Sequence, residues 1–98
     1  MSLHATICRY SGVTGPIDEV MDTGRQLASA LSRSPGFVSY ALVDAGDGAI
    51  VSICVFEDRT DLDAAGQIVG AEQGHQRAET LPNPTEVITG EVIVQRGM

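Results

Sequence analysis

The stretch Ala49-Ile50-Val51-Ser52-Ile53-Cys54-Val55-Phe56 decides the fold. Its β-branched and aromatic side chains read as a strand, and only Ser52 interrupts an apolar character carried on both faces. A strand apolar on both faces has to be covered on both. Helices can take one face; the other needs a partner, which points to a dimer. Immediately upstream, Phe37 to Asp44 forms a second strand-like run, and Ala45-Gly46-Asp47-Gly48 joins the two. Two apolar runs linked through Asp-Gly are a hairpin signal.

Upstream of the hairpin, Ile17, Val20, Met21, Gly24, Leu27, Ala28 and Leu31 recur at three and four, one continuous helical face. Pro16 suits the first helical position, where a missing N–H costs nothing. Asp18, Glu19 and Asp22 favour the positive end, and Ser34-Pro35-Gly36 stops the helix. His4 to Tyr10 reads as the first strand, ended by Ser11-Gly12.

Downstream, Thr60 with Asp63 resembles a capping box opening a second helix from about Asp61 to about Ala78. Gly66, Gly70 and Gly74 recur every four residues in it, and small residues at that spacing are expected where a helix packs closely on a neighbour. The alternative is a weak wall over a cavity. Leu81-Pro82-Asn83-Pro84 is an extended connector, and Glu86 to Gln95 is the last strand.

The order β-α-β-β-α-β, with right-handed crossovers and a central hairpin, is an α+β, ferredoxin-like plan. It has a four-stranded antiparallel sheet in the order 4-1-3-2, with both helices on one face. The 98 residues are expected to form a single domain over 1–98. The uncovered face carries too many Val and Ile to be wetted, so sheet-to-sheet pairing into a homodimer is expected.

Thirteen acidic residues against six arginines and no lysine leave a net charge of −7. The arginines are scattered, so no basic stripe serves nucleic acid, and anionic membranes repel such a surface. No apolar run approaches the roughly 18 residues of a membrane-spanning helix. No basic segment followed by an apolar stretch opens the sequence, so a cytoplasmic location is expected. Arg- and Ala-rich, lysine-free usage is that of a GC-rich bacterial genome. Two cysteines, Cys8 and Cys54, are too few for a structural zinc site and are expected to be reduced, buried thiols. Their strands are neighbours in the expected sheet.

Alternation puts Thr6, Cys8 and Tyr10 on one face of the first strand. If that face looks towards the helices, Thr6 and Cys8 line a cavity. Tyr40 is read as facing opposite to Phe37 and Ser39, and belongs either to the cavity or to the dimer interface. His75 is the one interior histidine, suited to a general base or an axial ligand, and equally to a solvated helix position. Glu72 and Glu79 lie one turn either side of it. Metal-ligand clusters, phosphate-cradling loops and Ser-His-Asp signatures are missing from the sequence.

Ser34-Pro35-Gly36-Phe37-Val38 leading into the second strand, and Val55-Phe56-Glu57-Asp58 leading out of the third towards a helix carrying His75, resemble the dimeric α/β-barrel superfamily. The similarity is to its antibiotic-biosynthesis-monooxygenase-like group and covers nearly the whole chain. It implies a homodimer with a cavity in each subunit between sheet and helices. The group includes cofactor-free oxygenases of aromatic polyketides and haem-degrading oxygenases. The haem-degrading members use an Asn, a Trp and a His, whose positions fall at about Cys8, about Ala65 and His75. The polyketide oxygenases share Asn, Trp and Tyr. This sequence contains no tryptophan.

The missing Trp and Asn put a binding module first: a dimer holding a small apolar or aromatic molecule against Thr6, Cys8, Tyr40 and His75, with no cofactor and no metal. The alternatives are a cofactor-independent monooxygenase of an aromatic or quinol-type substrate, with His75 as base, and a haem-binding protein using His75. Fold analogy alone does not establish chemistry.

Overall fold

A computed structural model of the chain describes residues 3–76 and 84–97, with the side chains of residues 68–76 outside that description. The elements are β1 (His4–Tyr10), α1 (Ile17–Ser32), β2 (Phe37–Gly46), β3 (Ala49–Phe56), α2 (Arg59–Gln76) and β4 (Glu86–Glu91). The strands form one antiparallel sheet in the order β2-β3-β1-β4, which puts β1 and β3 at its centre. This is the expected α+β, ferredoxin-like arrangement.

The hairpin between β2 and β3 turns at Asp47 and Gly48, both with positive φ (55° and 77°). That pair of conformations twists in the sense of the flanking strands, and Asp-Gly adopts it readily. The carbonyl of Gly48 also accepts the Val13 N–H at 3.0 Å, tying the hairpin tip to the loop after β1.

A bulge interrupts β2 where the sequence predicted plain alternation. Phe37 pairs with Phe56, but Ser39 pairs with Val55 and Tyr40 with Cys54, so one extra residue sits opposite none. The bulge inverts the facing that follows it. Tyr40 therefore shares the helix-covered face with Phe37, and the expectation that the two point opposite ways is corrected.

The helices pack through two apolar clusters. Tyr10, Val20, Leu27 and Ile50 form one; Leu31, Phe56, Leu62 and Ala65 form the other. Phe37 and Phe56 meet edge to face, their ring centroids 5.7 Å apart. The buried stripe of α1 is Val20, Thr23, Gly24, Leu27, Ala30 and Leu31, while Ile17 and Met21 stay exposed. Pro16 caps α1 from the extended conformation and is not its first helical residue.

The start of α2 also differs from the sequence reading. Asp58, not Thr60, caps the helix: its carboxylate accepts the Asp61 N–H at 2.9 Å. Thr60 lies inside the first turn. At the other end of the chain, β4 stops at Glu91, short of the expected Gln95, where its register runs out of described partner residues. His4 pairs with Glu91, and the Val92 N–H makes one further bond to the Leu3 carbonyl at 2.8 Å. Ile93 and Val94 beyond it are 88% and 85% exposed. Ala78, Glu79 and the Leu81-Pro82-Asn83 connector lie outside the described residues.

Candidate functional site

A cavity of about 220 Å³ lies between the sheet and the helices, at the seam of the two apolar clusters. Its floor is Thr6, Cys8 and Tyr10 from β1, Ser52 and Cys54 from β3, and Tyr40 from β2. Leu27 and Leu31 of α1 and Leu62, Ala65 and Gly66 of α2 form the opposite wall, with Pro84 also on the boundary. The cause of the void is side-chain size. Four floor residues (Thr6, Cys8, Ser52, Cys54) are small, and α2 meets them with an alanine and a glycine.

Gly66 shows the second point directly. A Cβ built there would meet no described atom within 4 Å, so among the described residues nothing packs closely on this glycine, against the close helix packing that the sequence reading favoured. It leaves space beside the cavity. Gly70 and Gly74 lie where side-chain surroundings are not described.

The register fixes how the floor is laid out. Cys8 pairs with Ser52 and Thr6 pairs with Cys54, so thiols and hydroxyls alternate at the corners of one patch. The Thr6 hydroxyl also lies 3.2 Å from that of Thr89 on β4, closing the outer edge of the floor. Cys8 and Cys54 are both free thiols. They are diagonal neighbours, roughly 7–8 Å apart in such a pairing, beyond the reach of a disulfide without backbone movement. Burial, helped by the neighbouring charge of Cys8, pushes the Cys54 thiol up to about 11, so it is neutral at physiological pH.

None of the described lining residues is an Asp, Glu, Lys, Arg or His. The described ion pairs, Arg9–Glu86, Arg25–Asp22 and Arg59–Asp63, all join well-exposed side chains. Among the described residues no group of three or more His, Cys, Asp or Glu side chains converges to hold a metal. The site offers apolar surface with a few neutral hydrogen-bonding groups, the usual make-up of a small-molecule cleft.

Thr6, Cys8 and Tyr40 all line the cavity, brought together by β1 and by the bulge in β2. His75 lies in α2, and its side chain is outside the described ones, as is that of Glu72. The positions where the resemblance places Asn and Trp, Cys8 and Ala65, are both on the cavity boundary. Ser52 was not singled out from the sequence. Applying the antiparallel register to Cys8 would have found it.

Compared by sequence, the chain matches no family model and no curated protein. Compared by structure, it is similar to SnoaB, a cofactor-independent oxygenase from Streptomyces nogalater, with 21% identity and a TM-score of 0.71. That match covers 100% of this chain and 98% of SnoaB. A protein of unknown function from Nitrosomonas europaea superposes with a TM-score of 0.81 at 15% identity, over 100% and 96% of the two chains. A second Nitrosomonas europaea protein, named for antibiotic biosynthesis monooxygenases, gives 0.76 at 15% identity over 97% and 94%. The fold is that of the antibiotic-biosynthesis-monooxygenase-like proteins. The cavity of this chain is floored by two thiols and two small hydroxyls beside Tyr10 and Tyr40. Among the described residues no helix is long and apolar enough to cross a membrane.

Haem is a poor fit to this cavity. Its volume, about 220 Å³, is below the roughly 300–1,000 Å³ of clefts that take drug-sized ligands, and a tetrapyrrole is larger than most of those. No described lining residue is basic, so none would pair with the propionates.

Proposed function

We propose that the protein binds a small, uncharged aromatic molecule between its sheet and its helices. The carrying observation is the cavity itself: apolar walls from Leu27, Leu31, Leu62 and Ala65, neutral groups on the floor, and no described charge. A charged ligand would lose its hydration there without a counter-ion, which costs far more than apolar burial returns. Thr6, Cys8 and Tyr40 contact the ligand in this reading, and His75 acts from α2. The test is calorimetry with naphthol and with its sulfonated analogue. Naphthol is expected to bind one per chain and the sulfonate not at all; equal binding of both would count against the cavity.

A second reading, a cofactor-independent monooxygenase, draws on the likeness to SnoaB. An electron-rich aromatic or quinol-type substrate would react with O2 in the water-poor cavity, with His75 as the base that removes the phenolic proton and Thr6 or Tyr40 holding the oxygen. Oxygen uptake with a quinol, lost in His75→Ala, would move this reading ahead of simple binding.

The protein acts as a homodimer in this account, paired through the sheet face that the helices leave open. Ile7, Val43 and Ile88 are exposed apolar residues there, and Ile7, Arg9, Val51, Glu86 and Ile88 surround a shallow depression on that face. A second copy supplies the matching apolar surface. Two free thiols and a net charge of −7 suit the reducing cytoplasm and argue against nucleic acid or anionic membrane as partner.

A further inference from the structure

The cavity floor holds a nucleophile that simple binding does not use. Cys8 lies directly opposite Ser52, where paired Cβ atoms stand about 4.5–5.5 Å apart. Ser52 is 7% exposed, lines the cavity, and makes no side-chain hydrogen bond among the described residues. A hydroxyl that faces the cavity without a protein partner is completed by a polar atom of whatever fills the space. Cys54 is too far along the diagonal to consume Cys8 in a disulfide. Cys54 faces Thr6, whose hydroxyl already lies 3.2 Å from that of Thr89, and burial pushes the Cys54 pKa up, so Cys8 is the sulfur placed opposite the Ser52 hydroxyl.

We propose that Cys8 is a covalent-capture site for a conjugated carbonyl electrophile, an enone or a quinone, held with its carbonyl on the Ser52 hydroxyl. This inference rests on the binding reading above. The Cys8 thiolate adds to the alkene carbon conjugated with the carbonyl, and a C–S bond forms. The C=C pair shifts onto the carbonyl oxygen, which takes up the proton that the thiol released. From a quinone, the proton on the attacked ring carbon then moves to the second carbonyl oxygen, and the product is a thioether of the hydroquinone. Nothing leaves, and no separate oxidant or reductant enters.

The experiment treats the folded protein with menadione under nitrogen, followed by intact-mass measurement and peptide mapping. The expected result is one adduct per chain on Cys8. Its rate levels off as menadione rises, since binding precedes attack, and exceeds that of glutathione by roughly tenfold or more. Ser52→Ala slows labelling by menadione several-fold more than it slows labelling by iodoacetamide. Cys8→Ser abolishes the adduct; should that variant not fold, mapping of the unaltered protein decides by which sulfur is modified. Thermal melting with naphthol, which has the same ring system and no electrophilic carbon, runs alongside. If naphthol raises the melting temperature while menadione leaves Cys8 untouched, or reacts equally with Cys54 or only at the glutathione rate, capture is overturned and binding stands. If neither compound acts, both readings fall.

Discussion

Cys54 sits diagonally across the β1–β3 ladder from Cys8, each thiol opposite a hydroxyl residue and both on the face that the helices cover. The neighbourhood raises the Cys54 pKa from 9.0 to about 11, burial contributing more than the Cys8 charge. In the interval between those values the folded chain binds more protons than the unfolded one. Stability from this group is therefore complete below pH 9 and is lost as pH rises towards 11. The difference in unfolding free energy between the parent and Cys54→Ser should narrow across that window, by on the order of 1 kcal/mol once partial solvent exposure is allowed for. Chemical denaturation at a series of pH values measures it; a constant difference would contradict the buried, neutral thiol.

The α2 cap gives a comparison between neighbours. Asp58→Ala removes the acceptor of the Asp61 N–H and should destabilise by about 0.5–2 kcal/mol. Thr60→Ala, inside the first turn, should change stability by no more than about 0.5 kcal/mol. Urea unfolding of the two variants checks the assignment, and a reversed order would restore Thr60 as the cap.

Gly36 is confined from two directions. Its φ is +77°, and an added Cβ would collide with the Asp61 carboxylate, while its carbonyl accepts the Glu57 N–H at 2.7 Å. Gly36→Ala should cost about 1–3 kcal/mol, read as a lowered melting temperature. An unchanged melting temperature would mean that the α1–β2 connection can relax elsewhere.

For the open face of the sheet, Val51→Asp places a charge among Ile7 and Ile88. Sedimentation should show a dimer for the parent and a monomer for the variant, each with the same far-ultraviolet circular dichroism. A parent that sediments as a monomer would end the sheet-to-sheet account.

Much of this architecture was legible in the sequence because its strongest signals are local. The doubly apolar run of β3, the Asp-Gly turn and the Ser34-Pro35-Gly36 stop each depend on a few adjacent residues, and together they permit few topologies. The grouping of Thr6, Cys8 and Tyr10 on one face of β1 was equally legible, since no bulge disturbs their alternation, but which face meets the helices was not. Tyr40 faces the other way from what plain alternation predicts because Val38, the extra residue of the bulge, is set by the pairing with β3, and nothing in Phe37-Val38-Ser39-Tyr40 announces it. The end of β4 is decided by where β1 begins, so Val92, Ile93 and Val94 look like strand residues yet lack a described partner strand. Ser52 stayed hidden for a related reason: as the single polar residue of an apolar run, it gains meaning only from the thiol opposite.

The most direct test of the binding account is a native mass spectrum taken with naphthol, for the parent and for Ala65→Phe. Ala65 is buried on the cavity wall, and a phenyl ring there occupies the space the ligand needs. The account predicts a dimer carrying one naphthol per chain for the parent, and a bare dimer for the variant. Equal loading of the two proteins, or none on the parent, would contradict it.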